Sequence, residues 1–189
     1  MADMFAKIHN EPDLYGIICH SGCEENNALV EFADDLKCAG ELDEERVLIL
    51  KPDAFYSSKR MHNPPPAPDC LVLVKCAAAG HYALYLIELK DVNSTTSLKY
   101  KEIVRKFETM IELFFGQFAA IFAGYTYTAI KFYLVSTYPK GGEGLSEAEY
   151  RKKILGCHLD TYASAKPLVL FGKAVLIEPK PSPLTLSAC

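Results

Sequence analysis

Residues 68–90 read PDCLVLVKCAAAGHYALYLIELK, and this stretch decides the fold. Cys70 to Val74 (CLVLV) is an apolar run of strand length, and Tyr82 to Lys90 (YALYLIELK) is a second, longer one. The segment from Ala77 to His81 between them reads as a turn, so the two runs form a hairpin. With that turn near Ala79, facing residue numbers sum to about 158, which sets Asp69 opposite Leu89 and beside Glu88 and Lys90. Side chains alternate along a strand, so Glu88 and Lys90 share a face. Asp69 reaches that face only through the register or a local bend. Two carboxylates and an ammonium thus meet at one end of an apolar sheet, where charge is costly without compensation.

Outward from the hairpin, Arg46 to Leu50 (RVLIL) predicts a preceding strand, ended by Lys51-Pro52-Asp53. Residues 53–68 read as a loop closing in NPPPAP, too rich in proline for a sheet interior. Further back, Ser21 and Glu24 have capping-box spacing and predict a helix ending at Gly40, with Leu29, Phe32, Ala33 and Leu36 as its apolar stripe. Leu14–His20 reads as a short strand or extended lead-in, and residues 1–15 as polar and loosely ordered. After the hairpin, residues 97–122 predict the longest helix, from the spacing of Ile103, Phe107, Met110, Ile111, Phe114, Phe118 and Phe122. Thr128–Thr137 is strongly β-forming. A second capping box, Ser146 with Glu149, opens a helix near Ser146–Leu155, and Leu168–Ile177 reads as a last buried strand. The Pro-rich tail 179–189 is expected to run over the surface. The whole is expected to be one α/β domain: a mixed central sheet flanked by helices, with a core at about 22–137 and a C-terminal helix and strand at 146–178.

Composition excludes several classes. Half of the 189 residues are hydrophobic, so the chain is not disordered. No apolar run has membrane-spanning length, and no signal-peptide core is present, which points to an intracellular, cytoplasmic or nuclear, protein with no membrane partner. The 7 cysteines are unevenly spaced and predict buried thiols in a reducing compartment. Cys19, His20 and Cys23 lack a second ligand pair for structural zinc. Residues 1–69 hold 6 Lys/Arg against 14 Asp/Glu, and residues 70–189 hold 14 against 10. That is less basic than a dedicated nucleic-acid binder, but carboxylates that hold cations offset their own charge. No phosphate-binding Gly loop and no nucleophile elbow is present.

At Pro68-Asp69 and Glu88-Leu89-Lys90 the sequence resembles the PD-(D/E)xK nuclease superfamily, which includes type II restriction enzymes, repair nucleases and junction resolvases. Its pattern is Pro-Asp at the start of one core strand and Glu-x-Lys near the end of the next. The resemblance implies a restriction-endonuclease-like αβββαβ core, and residues 22–137 read in that order. It implies that Asp69 and Glu88 bind Mg²⁺, with Mn²⁺ as a substitute, and the Leu89 carbonyl as a further ligand. Two carboxylate oxygens suit a hard ion that also takes phosphate oxygens. Metal-activated water would attack the phosphodiester while Lys90 orients it or neutralises developing charge. Members that add a carboxylate from the first helix point to Glu25, which shares the stripe of Leu29 and Leu36. An ordinary first-turn glutamate favoured by the helix dipole is the other reading. Lys99, Lys101, Arg105 and Lys106 on the following helix are either phosphate contacts or a solvated face. The implied function is an endonuclease on nucleic acid, DNA ahead of RNA, acting alone, as a homodimer or in a larger complex. A catalytically inactive binding or assembly module on the same fold is the alternative, and an unrelated α/β protein is the third.

Overall fold

The computed structural model describes residues 3–59, 62–140, 144–163 and 165–189. The N-terminal segment is ordered, not loose: α1 (Met4–His9) and α2 (Pro12–Tyr15) bury Met4, Phe5, Ile8 and Leu14. Asp3 caps α1. Its carboxylate also accepts from the Tyr82 hydroxyl and from Lys75, both at 2.6 Å, which pins the first helix to the hairpin.

The expected helix over residues 21–40 is instead two small hairpins, β1 (Cys23–Glu25) with β2 (Ala28–Phe32), then β3 (Lys37–Cys38) with β4 (Glu41–Leu42). Asn26 takes a positive φ of 53° in the two-residue link between Glu25 and Ala28, a conformation asparagine tolerates and a helix excludes. Cys23, Ala28 and Val30 point inward, so burial follows strand alternation rather than the helical stripe. A disulfide from Cys23 to Cys70 fixes the hairpin on the main sheet.

The main sheet is built from β5 (Val47–Leu50), β6 (Cys70–Lys75), β7 (His81–Lys90) and β8 (Thr126–Ser136), with a fifth strand from the C-terminal part. β5–β6 and β6–β7 are antiparallel, whereas β7–β8 is parallel. A parallel pair needs a crossover. It is supplied by α4 (Tyr100–Thr109), a π turn (Met110–Phe114), α5 (Phe115–Gln117) and α6 (Ala119–Phe122), which replace the single helix expected. The expected loop after Lys51 opens with α3 (Pro52–Ser58), for which Pro52 is suited as the first helical residue.

After β8, Ser146 and Glu149 form the expected capping box on α7 (Glu147–Ile154), followed by α8 (Asp160–Ala163). The single strand expected over 168–177 is broken at Phe171-Gly172, both with positive φ. It forms a hairpin, β9 (Leu168–Leu170) and β10 (Lys173–Val175). The tail is not superficial: β11 (Ile177–Pro181) lies parallel to β8 as the fifth strand, and β12 (Leu184–Leu186) pairs with β2. The main-sheet order is β11-β8-β7-β6-β5, and β1-β2-β12 forms a small second sheet.

The molecule is thus mixed α/β in three layers. Leu71, Leu73, Leu84, Leu86, Phe132 and Leu134 face the helices, whereas Cys70, Val72, Val74, Ala83, Ile87 and Val135 face the small sheet. Among the described residues no helix is long and apolar enough to cross a membrane. The expected free thiols are corrected by two disulfides, Cys23–Cys70 and Cys76–Cys189. Close approach of β1 and of the C-terminal strand to β6 makes these pairings, which spacing alone does not reveal.

Non-reducing peptide mapping is expected to recover the Cys23–Cys70 pair. Replacing both residues by alanine removes a cross-link of sequence separation 47. That change is expected to lower unfolding free energy by roughly 3–4 kcal/mol in urea titration, with no loss in the reduced protein.

Candidate functional site

The site begins with the β6–β7 turn. The Cys76 N–H donates to His81 O and the His81 N–H to Ala78 O. Gly80 supplies the left-handed backbone this turn needs, at φ 75°. The turn sets Cys70 opposite Ile87, one residue off the expected register. One step further out, Asp69 comes opposite Glu88 rather than Leu89. Directly facing residues of an antiparallel pair project to the same side, so the obstacle to bringing the two carboxylates together disappears. Asp69, half-buried, accepts the Leu89 N–H at 2.6 Å through Oδ2.

Glu88 is fully buried on the helix side of the sheet. Its Oε1 receives two ammoniums, Lys90 at 2.7 Å and Lys106 of α4 at 2.6 Å. Its Oε2 is buried and has no hydrogen-bond partner among the described residues. Burial, followed by the charge of Asp69, pushes the Glu88 carboxyl up to about 7, against the opposing pull of Lys106 and Lys90. Burial pushes the Lys90 ammonium down, but Glu88, Asp69 and Glu25 outweigh it and hold the group above its ordinary value. Asp53, in the first turn of α3, is raised by partial burial of its carboxyl and by Asp69, although the residue as a whole reaches solvent.

Glu25 arrives at the same place by a different route. It lies on β1, not on a helix, with Oε2 buried and 3.8 Å from the Lys90 ammonium. Three links hold its hairpin there: the Cys23–Cys70 disulfide, the Asn27 amide donating to Asp91 at 2.7 Å, and the Leu29 N–H donating to the Ser182 hydroxyl at 3.0 Å. Leu89 is fully buried on the opposite face, so only its backbone belongs to the site.

The sequence left Lys106 as either a phosphate contact or part of a solvated face, whereas its side chain reaches inward to Glu88. The signal was present: Lys106 adjoins the Ile103–Phe107 stripe that packs on the sheet. The other α4 cations point away. Lys99 pairs with Glu102, and Arg105 with Glu108 and Glu112, leaving Lys101 without an ion pair among the described residues. Two further residues were not anticipated. Tyr162 of α8 is fully buried, lies within the field of Glu88, and packs its ring 5.0 Å from that of Tyr100. Asp53, within the field of Asp69, is the other.

A concavity of about 690 Å³ lies between β11 and α7, away from these residues, and is lined in part by Tyr133, Tyr150 and Lys180. Its charges neutralise one another through Lys131–Glu178, Arg151–Glu147 and Lys180–Glu147. Among the described residues no three His, Cys, Asp or Glu side chains are already gathered for a metal ion. Cys19 and His20 bond to Ser21 and Glu44 respectively, which leaves no zinc constellation with the disulfide-bonded Cys23. No family model, no curated protein and no solved structure matches the chain.

The raised Glu88 pKa has a sign. The folded state holds this proton more tightly than the unfolded chain does. The associated stability is therefore complete below about 4.5 and is lost as pH rises through about 7. In metal-free buffer, the wild type is expected to lose stability relative to Glu88→Gln between pH 5 and pH 8, by on the order of 3 kcal/mol. Urea unfolding of both proteins at the two pH values checks this. Parallel pH profiles would contradict it.

Proposed function

We propose that the chain is a metal-dependent endonuclease that hydrolyses phosphodiester bonds in nucleic acid, DNA ahead of RNA, on a restriction-endonuclease-like core. Glu88 carries the reading. It is a fully buried carboxylate with an orphaned oxygen, across the strand pair from Asp69 and in contact with Lys90. A buried acceptor without a partner is costly, and hard oxygen donors of this kind suit Mg²⁺ or Mn²⁺. Asp69 and Glu88 would hold the cation, with the Leu89 carbonyl and Glu25 as further ligands. Such a cation supplies acidification of water and neutralisation of charge on the phosphate.

The chain's own residues do the rest. Asp69, fixed by the Leu89 N–H, lies near enough for its charge to act on Glu88. Lys106 holds Glu88 Oε1 and keeps that carboxylate oriented. Lys90 is 27% exposed, enough to meet solvent while touching Glu88, and would orient the attacking water or stabilise the developing negative charge. The consecutive strands β6 and β7 followed by the α4 crossover to β8 support the family reading, although α3 stands between β5 and β6 and the leading helix of the expected αβββαβ core is replaced by hairpins. Nucleic acid is the partner in this proposal, with a homodimer or larger complex setting target choice. An intracellular setting, cytoplasmic or nuclear, belongs to the thiol form; the two disulfides favour an oxidising one.

A second reading, an inactive binding or assembly module on the same fold, is favoured by one feature: two ammoniums already occupy Glu88 Oε1. Plasmid and oligonucleotide cleavage separates the two. With Mg²⁺ or Mn²⁺ the wild type is expected to cut, and EDTA to stop it. Asp69→Ala and Lys90→Ala are each expected to reduce the rate by about 100-fold or more. Binding without cleavage under all conditions supports the module, and neither activity removes both readings.

A further inference from the structure

We propose that Tyr100 is a stacking platform for an unpaired base, so that the substrate is single-stranded or locally unpaired nucleic acid; the inference rests on the nuclease reading above. Tyr100 opens α4 and is 36% exposed, in a chain whose other aromatic rings are mostly buried. Its ring is braced rather than free. Tyr162, fully buried, packs behind it with centroids 5.0 Å apart and planes inclined by 49°. A ring held this way has already lost much of its rotational freedom, so a base that stacks on it incurs less ordering cost.

The platform and a residue of the candidate centre share α4. The ring behind it lies in the field of Glu88. Six residues further along the same helix, Lys106 grips Glu88. At 1.5 Å per residue the axial separation of Tyr100 and Lys106 is about 9 Å, short enough for the base of one nucleotide to rest on Tyr100 while a neighbouring phosphate lies at the centre. Bases within a duplex are stacked on one another and offer no face to such a ring, whereas unpaired or extruded bases do.

The test uses a fluorescein-labelled oligo(dT) and a duplex of the same length, with anisotropy read in Ca²⁺ to separate binding from cleavage. Tyr100→Ala and Tyr100→Leu are expected to weaken oligo(dT) binding about tenfold, and Tyr100→Phe by less than about twofold, because phenylalanine keeps the π face. Duplex binding is expected to change by less than about twofold in all three. The leucine variant retains packing on Tyr162, and an unchanged melting temperature verifies that it is folded. The chain contains no tryptophan. Tyr100→Trp therefore provides a single tryptophan, whose selectively excited emission is expected to fall when unlabelled oligo(dT) is added. The platform is overturned if leucine binds like the wild type, if phenylalanine loses as much as leucine, or if single strand and duplex weaken alike. Wild-type cleavage together with any of these results removes the platform alone. A wild type that neither binds nor cleaves nucleic acid removes the nuclease reading with it.

Discussion

The antiparallel pairing of β6 with β7 is the constraint from which the site follows. Both faces of this pair are buried, one under helices and the other under the small sheet. A slip of one residue would turn Leu71 and Leu73 away from the helices and bring Val72 and Val74 round to them. Interlocking packing on two sides therefore fixes the register, which pairs Cys70 with Ile87 and carries the next residue, Asp69, to the Glu88 end of β7. The carboxylates need no special loop to meet. They are carried to the sheet end by the leucines and valines behind them.

That placement has an electrostatic cost. β7 buries nearly every side chain along its length, and Glu88 takes a position where a leucine would pack without penalty. Two lysines compensate in part, but both approach the same oxygen. Each lysine also keeps a path to solvent, being 27% and 23% exposed respectively, so neither ammonium is fully desolvated. The acid is caught between desolvation and attraction, and its raised proton affinity expresses that balance. Sites with such unresolved charge are drawn from the functional part of a protein more often than from its scaffold.

The parts of this arrangement legible in the sequence were those governed by local apolar pattern. Strands at Val47–Leu50, Cys70–Lys75, His81–Lys90 and Thr126–Ser136 follow from apolar runs and β-branched residues, and the Ser146–Glu149 box marked α7. The helix expected after Ser21 failed because a capping-box spacing says nothing about Asn26, whose positive φ closes a hairpin. A disulfide to Cys70 and pairing with β12 then commit the segment to strands. Those partners lie 47 residues away and at the far end of the chain, beyond any local window. The site was legible to the same degree. Asp69, Glu88 and Lys90 could be grouped from the hairpin. The inward reach of Lys106 and the nearness of Tyr162 depend on how α4 and α8 pack.

Glu25 shows what the misread segment nonetheless preserves. Whether its scaffold is a helix or a hairpin, its carboxylate is delivered toward Lys90, and three separate links brace the hairpin that carries it. The site then holds two buried carboxylate oxygens without hydrogen-bond partners, Glu88 Oε2 and Glu25 Oε2. Each unsatisfied buried acceptor costs about 1–3 kcal/mol or more. In the proposed reading a cation at Glu88 Oε2 would offset this cost, since both lysines contact the other oxygen. These costs thus gather at one end of the β6–β7 pair, which is where the proposed centre lies.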